Sequence, residues 1–369
     1  MPLYFGQLFV VSQSSGALRR FDVAPSRILA IGVRLALMCV LISSAQSAPL
    51  ASEFSISKIY SNGDRFMGVT LRGTVRLSTQ KVNGLEPREL SGLAWDADEN
   101  LLYAVSDEGH LVHLRPIISE QTLIGIELIN AFPLRDSAGV SLSENLTDSE
   151  GLVARNSRNG VHNDTTLLVS FEEPPRIEHY LPSGTRIGQL ELSAELRDER
   201  AYAGKNQHLE ALTELPEIGI ITAPERPLKT AIGGNFWLYN LHGKVGEFSP
   251  LDDKYSNLVG MESMQNGDLL ILERRYSSIF KPVIFALRRV SLSTHADTLK
   301  ATVVEEVVHF NISDGWNIDN FEGVARHEGN RYFLISDDNE NLFQKTLLMY
   351  VEIHSDEMVL PAMQNLSAE

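Results

Sequence analysis

Cysteine is all but missing: the 369 residues contain one, Cys39. It falls in an N-terminal segment read below as a signal, so the mature chain has none, and disulfides, zinc–thiolate sites and cysteine nucleophiles are excluded. Positive charge is also scarce, with 32 Lys and Arg against 48 Asp and Glu and a formal charge of −16. Such a surface repels the nucleic-acid backbone, and nucleic acid is not an expected partner. Familiar catalytic signatures are absent too: there is no Gly-x-Ser-x-Gly, no His-Glu-x-x-His, no P-loop and no Gly-x-Gly-x-x-Gly after a strand. Nor does a helical period run through the chain. Any chemistry must come from side chains that a strand-rich fold gathers from distant positions.

The longest feature outside that fold is the N-terminal segment. Arg34 precedes an apolar run at residues 35–42, and Ala45 and Ser47 are small residues at the two positions a signal peptidase reads, placing cleavage before Ala48. The apolar run is too short to span a bilayer. This reads as a secretory signal, with translation starting near Val33 and an exported product, periplasmic or extracellular, that has no membrane attachment after cleavage. Removal of residues 1–47 leaves 28 basic and 47 acidic residues, a formal charge of −19. The expected organisation is an extension and signal at 1–47, one β-domain at 48–356 and a tail at 357–369.

What is present is a repeat. Residues 316–338 have the grammar of a hairpin with acids at its open end: Glu322 enters the first strand, and Asp337 and Asp338 leave the second. The same grammar recurs at Ser91 with Asp107, Glu150 with Glu172, Glu210 with Glu225, and Val259 with Glu273 and Arg274. The starts are 59, 60, 49 and 63 residues apart, close to one propeller blade. A small residue follows each start (Gly92, Gly151, Ala211, Gly260, Gly323), as expected where backbones crowd near an axis. The sequence therefore predicts an all-β propeller with six blades, the sixth joining N-terminal strands to the last apolar strand at residues 347–353 and holding the ring shut. Residues 191–204, the best local helix former, and residues 225–235 are expected as loops over one mouth.

First strands line a propeller's channel, so Glu150, Glu210 and Glu322 are expected to converge. Crowded carboxylates repel, and a hard cation relieves them. Calcium suits a site of carboxylates and amides such as Asn320. Glu150, Glu210 and Glu322, with Glu225 and Asp337 at the second-strand ends, are the expected metal ligands, and the first three are also the expected catalytic groups. Arg226, Arg274, Arg275 and Lys205 stand beside them as candidate binders of an anionic substrate. The alternative for each acid is a local ion pair, with Arg155, Arg326 or Lys205 as partner. His208 reads as a packed or solvent-facing residue rather than a ligand.

The combination of Asp148, Glu150 and Gly151, of Asn206, His208 and Glu210, and of Asn320, Glu322 and Gly323, each followed by a strand ending in acids, resembles the phytase-like domain family described as "esterase-like activity of phytase". The resemblance covers about residues 65–353. It implies similarity to the six-bladed β-propeller phytases, which use several calcium ions at one mouth of the channel to bind phosphate and activate water. This chain departs from a full carboxylate ring at Ser91 and Val259. Three readings follow: a secreted metal-dependent hydrolase of phosphate or carboxylic esters acting on a small anionic or ester substrate, a non-catalytic ligand- or protein-binding propeller, and a lactonase-type propeller.

Overall fold

Alternating apolar residues between polar turns give each expected hairpin one face toward each neighbouring sheet, and all five form in the computed structural model. The described residues are 51–354 apart from 217, 253, 277–282, 296–297 and 340–343. The signal-like segment, the tail and the proposed cleavage point lie outside them. Three strands come first: β1 (Ala51–Glu53), β2 (Arg65–Phe66) and β3 (Val69–Leu77). Blade I follows as β4 (Leu90–Asp96), β5 (Leu101–Ser106), β6 (His110–Ser119) and β7 (Thr122–Pro133). Blade II is β8 (Ser149–Arg155), β9 (Thr166–Phe171), β10 (Arg176–Tyr180) and β11 (Arg186–Leu190). Blade III is β12 (Leu209–Leu215), β13 (Gly219–Pro224), β14 (Phe236–Asn240) and β15 (Gly243–Phe248). Blade IV is β16 (Ser256–Ser263), β17 (Leu269–Arg275), β18 (Ile284–His295) and β19 (Thr298–Asn311). The last hairpin is β20 (Asn320–Arg326) and β21 (Arg331–Asp337), followed by β22 (Leu347–Ile353).

The ring has five blades, not six. The last hairpin brings only two strands of its own. Its third is β22, and its fourth is β3 from the other end of the chain, with β1 and β2 at the edge of the same sheet. The terminal strands assigned to a sixth blade are thus consumed in completing blade V. The closure itself is as expected: Leu348 pairs with Val75 and Ile353 with Val69, so the two ends of the domain are held by one sheet.

Each junction between blades has its own apolar core. Leu111, Val169 and Phe171 pack between blades I and II, and Leu168, Leu209 and Tyr239 between II and III. Phe236, Met261 and Ile271 join III to IV, while Phe285, Phe310 and Phe321 join IV to V. Val75, Trp95, Phe333 and Tyr350 close V onto I. With a core at every junction, no sheet is left with an uncovered face, which is what lets single four-stranded sheets persist. The helix-forming segment contributes one turn at Ala194–Arg197, with Leu196 buried in the core between blades II and III.

Candidate active site at the acidic mouth

β4, β8, β12, β16 and β20 follow one another around the axis, and each carries a bulge at the same height. Pairing to the second strand skips from Leu90 to Leu93, Ser149 to Leu152, Leu209 to Ala211, Leu258 to Gly260 and Phe321 to Gly323. A bulge removes a residue from the ladder and re-aims its side chain. Ser91, Glu150, Glu210, Val259 and Glu322 all occupy such positions and line one small axial cavity. Glycine is required beside them by close approach: a Cβ on Gly92 would lie 2.1 Å from the Glu150 carbonyl oxygen, and one on Gly260 would lie 2.4 Å from that of Glu322. Neighbouring bulges therefore touch through backbone, and the cavity they enclose has a volume of about 10 Å³, enough for about one water or ion.

A second ring surrounds the first. The residues following the paired positions Ser106, Phe171, Pro224, Glu273 and Ser336 are Asp107, Glu172, Glu225, Arg274 and Asp337. Blade IV differs from the others in both rings, offering Val259 in the inner and Arg274 in the outer. That substitution splits the mouth into two halves. On one side Arg274 donates to Glu225 and Glu322, each at 2.9 Å, and to Asn320 at 2.5 Å. Asn257 also donates to Glu225 (2.7 Å), and Asn320 to Glu322 (2.7 Å). Burial alone would lower the Arg274 pKa, but Glu322, Glu225 and Glu210 outweigh it and raise it.

Among the described residues no cation bonds to the acids of the other side, and Arg176 acts on Asp148 through its charge alone. Carboxylate oxygens of Asp107, Asp148 and Glu150 lie within 4.8 Å of one another. Glu150 and Glu210 are buried, and no hydrogen-bond donor reaches either carboxylate among the described residues. Asp107 accepts from Ser91 Oγ at 2.5 Å, and Glu172 from the His208 backbone N–H at 2.7 Å. Burial, followed by the charge of neighbouring carboxylates, pushes Asp107, Glu150 and Glu210 well above the usual range. Burial likewise raises Glu172 to about 8 and Asp337 to about 7. Asp148, Glu225 and Glu322 are raised as well, the last two in spite of Arg274.

These shifts fix a pH dependence. An acid whose pKa is higher in the folded state holds more protons there, so its contribution favours folding below the unfolded pKa, near 4, and is lost as pH rises through the folded value. Metal-free protein is expected to melt several degrees lower at about pH 8.5 than at about pH 5.5, the window set by Asp337 at about 7 and Glu172 at about 8. Melting curves in chelator measure it, and a midpoint that holds steady or climbs across this range contradicts the reading.

The five expected ligands Glu150, Glu210, Glu225, Glu322 and Asp337 do meet at this mouth. So does Arg274, as an internal counter-charge. Arg226 stands further out, its Nε on Asn257 and its Nη1 on the Lys254 carbonyl. Arg275 points to the other face of its sheet by strand alternation, and Lys205 is exposed in the loop before β12. Neither bonds to the carboxylates among the described residues. The local ion-pair alternative fails for Arg155, which pairs with Glu214, and for Arg326, which lies at the far end of β20. Of the two readings of His208, packed or solvent-facing, the structure has the first: the ring packs edge-on against Tyr202 at 4.3 Å.

A family model described as "Phytase-like: Esterase-like activity of phytase" matches residues 87–340. The chain belongs to this family. The match runs from just ahead of β4 to just past β21, so this phytase-like domain includes every bulge and both rings of the mouth. No curated protein matches the chain. Asp107, Asp148 and Glu172 also stand at this mouth, although the repeats named them without counting them among the candidate ligands. Their phase within the hairpin was the signal.

Proposed function

We propose that the protein is an exported, calcium-dependent hydrolase of phosphate esters that works at the acidic mouth. The observation that carries this reading is the uncompensated half of the mouth, where Asp107, Asp148 and Glu150 bring carboxylate oxygens within 4.8 Å of one another beside the donorless Glu210. The clustered donor set is three carboxylates, all oxygen, which fits a hard cation and calcium in particular. Asp107, Asp148 and Glu150 would hold the ion, with Glu210 and Glu172 adjoining. Calcium there supplies a positive charge that binds an ester oxyanion and lowers the pKa of water.

The chain's own groups divide the remaining work. Glu210, whose pKa is raised by burial and by neighbouring carboxylates, is the candidate proton acceptor for a water molecule at the cavity when it is ionised beside a bound cation. Glu172 and Asp337 hold protons near neutral pH and can return one to a leaving alkoxide. Arg274 is committed to Glu225 and Glu322 and offsets part of their charge, which leaves Arg226 as the guanidinium for an anionic substrate. Export would carry the site to a compartment where even weak calcium ligation is filled.

Metal analysis and melting in chelator test the proposal. Calcium at a hundredfold excess over its Kd should stabilise the fold by about 2.7 kcal/mol, and phosphate monoester hydrolysis should vanish in chelator and return with calcium. Purified protein that contains no metal, melts alike with and without chelator and hydrolyses no ester would instead favour a binding propeller.

A further inference from the structure

The inner strands run away from the acidic mouth, and their far ends enclose a second cavity, of about 320 Å³. From Glu322 to Arg326 along β20 is roughly 13 Å at the rise of a strand, so the two sites sit at opposite ends of one axis. Every blade contributes to this pocket, including Trp95, Leu152, Thr213, Glu262 and Arg326. Arg158, from the β8–β9 turn, completes it. The size is at the lower end of that typical for small-molecule pockets.

Two guanidinium groups here form no ion pair among the described residues, although the charge of Glu262 is felt by both. Arg158 Nη2 donates to the backbone carbonyls of Arg326 and His327, both at 2.6 Å. Its Nε and Nη1 have no protein partner among the described residues, and neither has the Arg326 side chain. The nearby acid is occupied elsewhere: Glu262 accepts from the Arg326 backbone N–H (3.1 Å) and from the N–H and Oγ of Ser263 (2.7 and 3.2 Å). Close by, Arg155 shows the satisfied alternative, with two hydrogen bonds to Glu214 at 3.1 and 3.2 Å. Two adjacent cations, Arg158 anchored on backbone carbonyls and both with donors to spare, form an oxyanion cradle against an apolar wall at Leu152 and Leu212.

The geometry points to a second ligand site at this end of the channel, where Arg158 and Arg326 together bind the carboxylate or phosphate group of a small molecule. It is independent of the calcium reading, because the two cavities have only the apolar Leu152 and Leu212 in common and share no charged side chain.

Calorimetric titration of the full chain in chelator, with sodium phosphate in one arm and sodium benzoate in the other, tests it while keeping the acidic mouth metal-free. At least one anion should saturate at one equivalent, and the arm that does so identifies the oxyanion. Arg158→Gln and Arg326→Gln should each weaken that binding about tenfold or more, the cost of losing a charge-assisted partner, while Glu150→Gln should leave it unchanged. Should Arg326→Gln not fold, Arg326→Lys keeps the charge and loses the fork, and weaker binding is again expected. Absence of saturation in both arms, or parental affinity in either arginine variant, overturns the site.

Discussion

Replacing Arg274 by Met is expected to destabilise the protein by about 3–5 kcal/mol at neutral pH, the range for removing one partner of a buried charge pair. Among the described residues the side chain is the single cation bonded to the two acids Glu225 and Glu322 at the mouth, and both of these are buried. Met fills a similar volume, so packing is conserved and the loss is electrostatic. Two further observations separate this from a generic core defect. Lower pH should narrow the gap to the parent, because the orphaned carboxylates take up protons, and Glu322→Gln added to the variant should recover part of the loss. Arg226→Gln, at the rim with one side-chain and one carbonyl partner, should cost about 1 kcal/mol or less. Thermal melts across the acid range measure all three. An Arg274 variant as stable as its parent would mean that these carboxylates are protonated in the native protein and need no cation.

Glu150→Gln is expected to move stability and function in opposite directions. The carboxylate is buried, has no hydrogen-bond donor among the described residues and faces Asp107, Glu210, Glu172 and Glu322. Removing its charge relieves repulsion, so the metal-free variant should melt higher than metal-free parent. The same change deletes one of three clustered ligand groups, so calcium affinity should fall at least about tenfold to a hundredfold and phosphate ester turnover should fall with it. A residue kept only for structure would not show this exchange, which is the mark of strain retained for a ligand. Higher stability with unchanged calcium affinity and turnover would remove Glu150 from the site.

The period of the hairpins was legible because it rests on strand alternation and on small residues at backbone contacts, both of which are written locally. Gly92, Gly260 and Gly323 sit where a Cβ would meet a neighbouring bulge, so the crowded axis could be read from glycine phase alone. The blade count was not legible. Nothing local distinguishes a sixth blade from a fifth completed by both chain ends, since β3 and β22 carry the same alternation in either case, and only the pairing of β22 with β21 and of β3 with β22 decides. The site followed the same division. Glu150, Glu210 and Glu322 announced themselves by position, whereas the role of Arg274 depends on distances to Glu225 and Glu322 across separate blades. Which acids stay uncompensated is a property of the ring as a whole, and that is why Asp107 and Asp148 emerged only with the fold.

Calcium titration of chelator-stripped protein, followed by calorimetry in two buffers of different ionisation enthalpy, tests the acidic mouth most directly. The expected result is saturable binding with protons released, because Glu172 and Asp337 carry them near neutral pH, together with affinity lost in Glu150→Gln. Titration of the parent without saturation, or with an isotherm that Glu150→Gln leaves unchanged, would contradict a cation site among Asp107, Asp148 and Glu150.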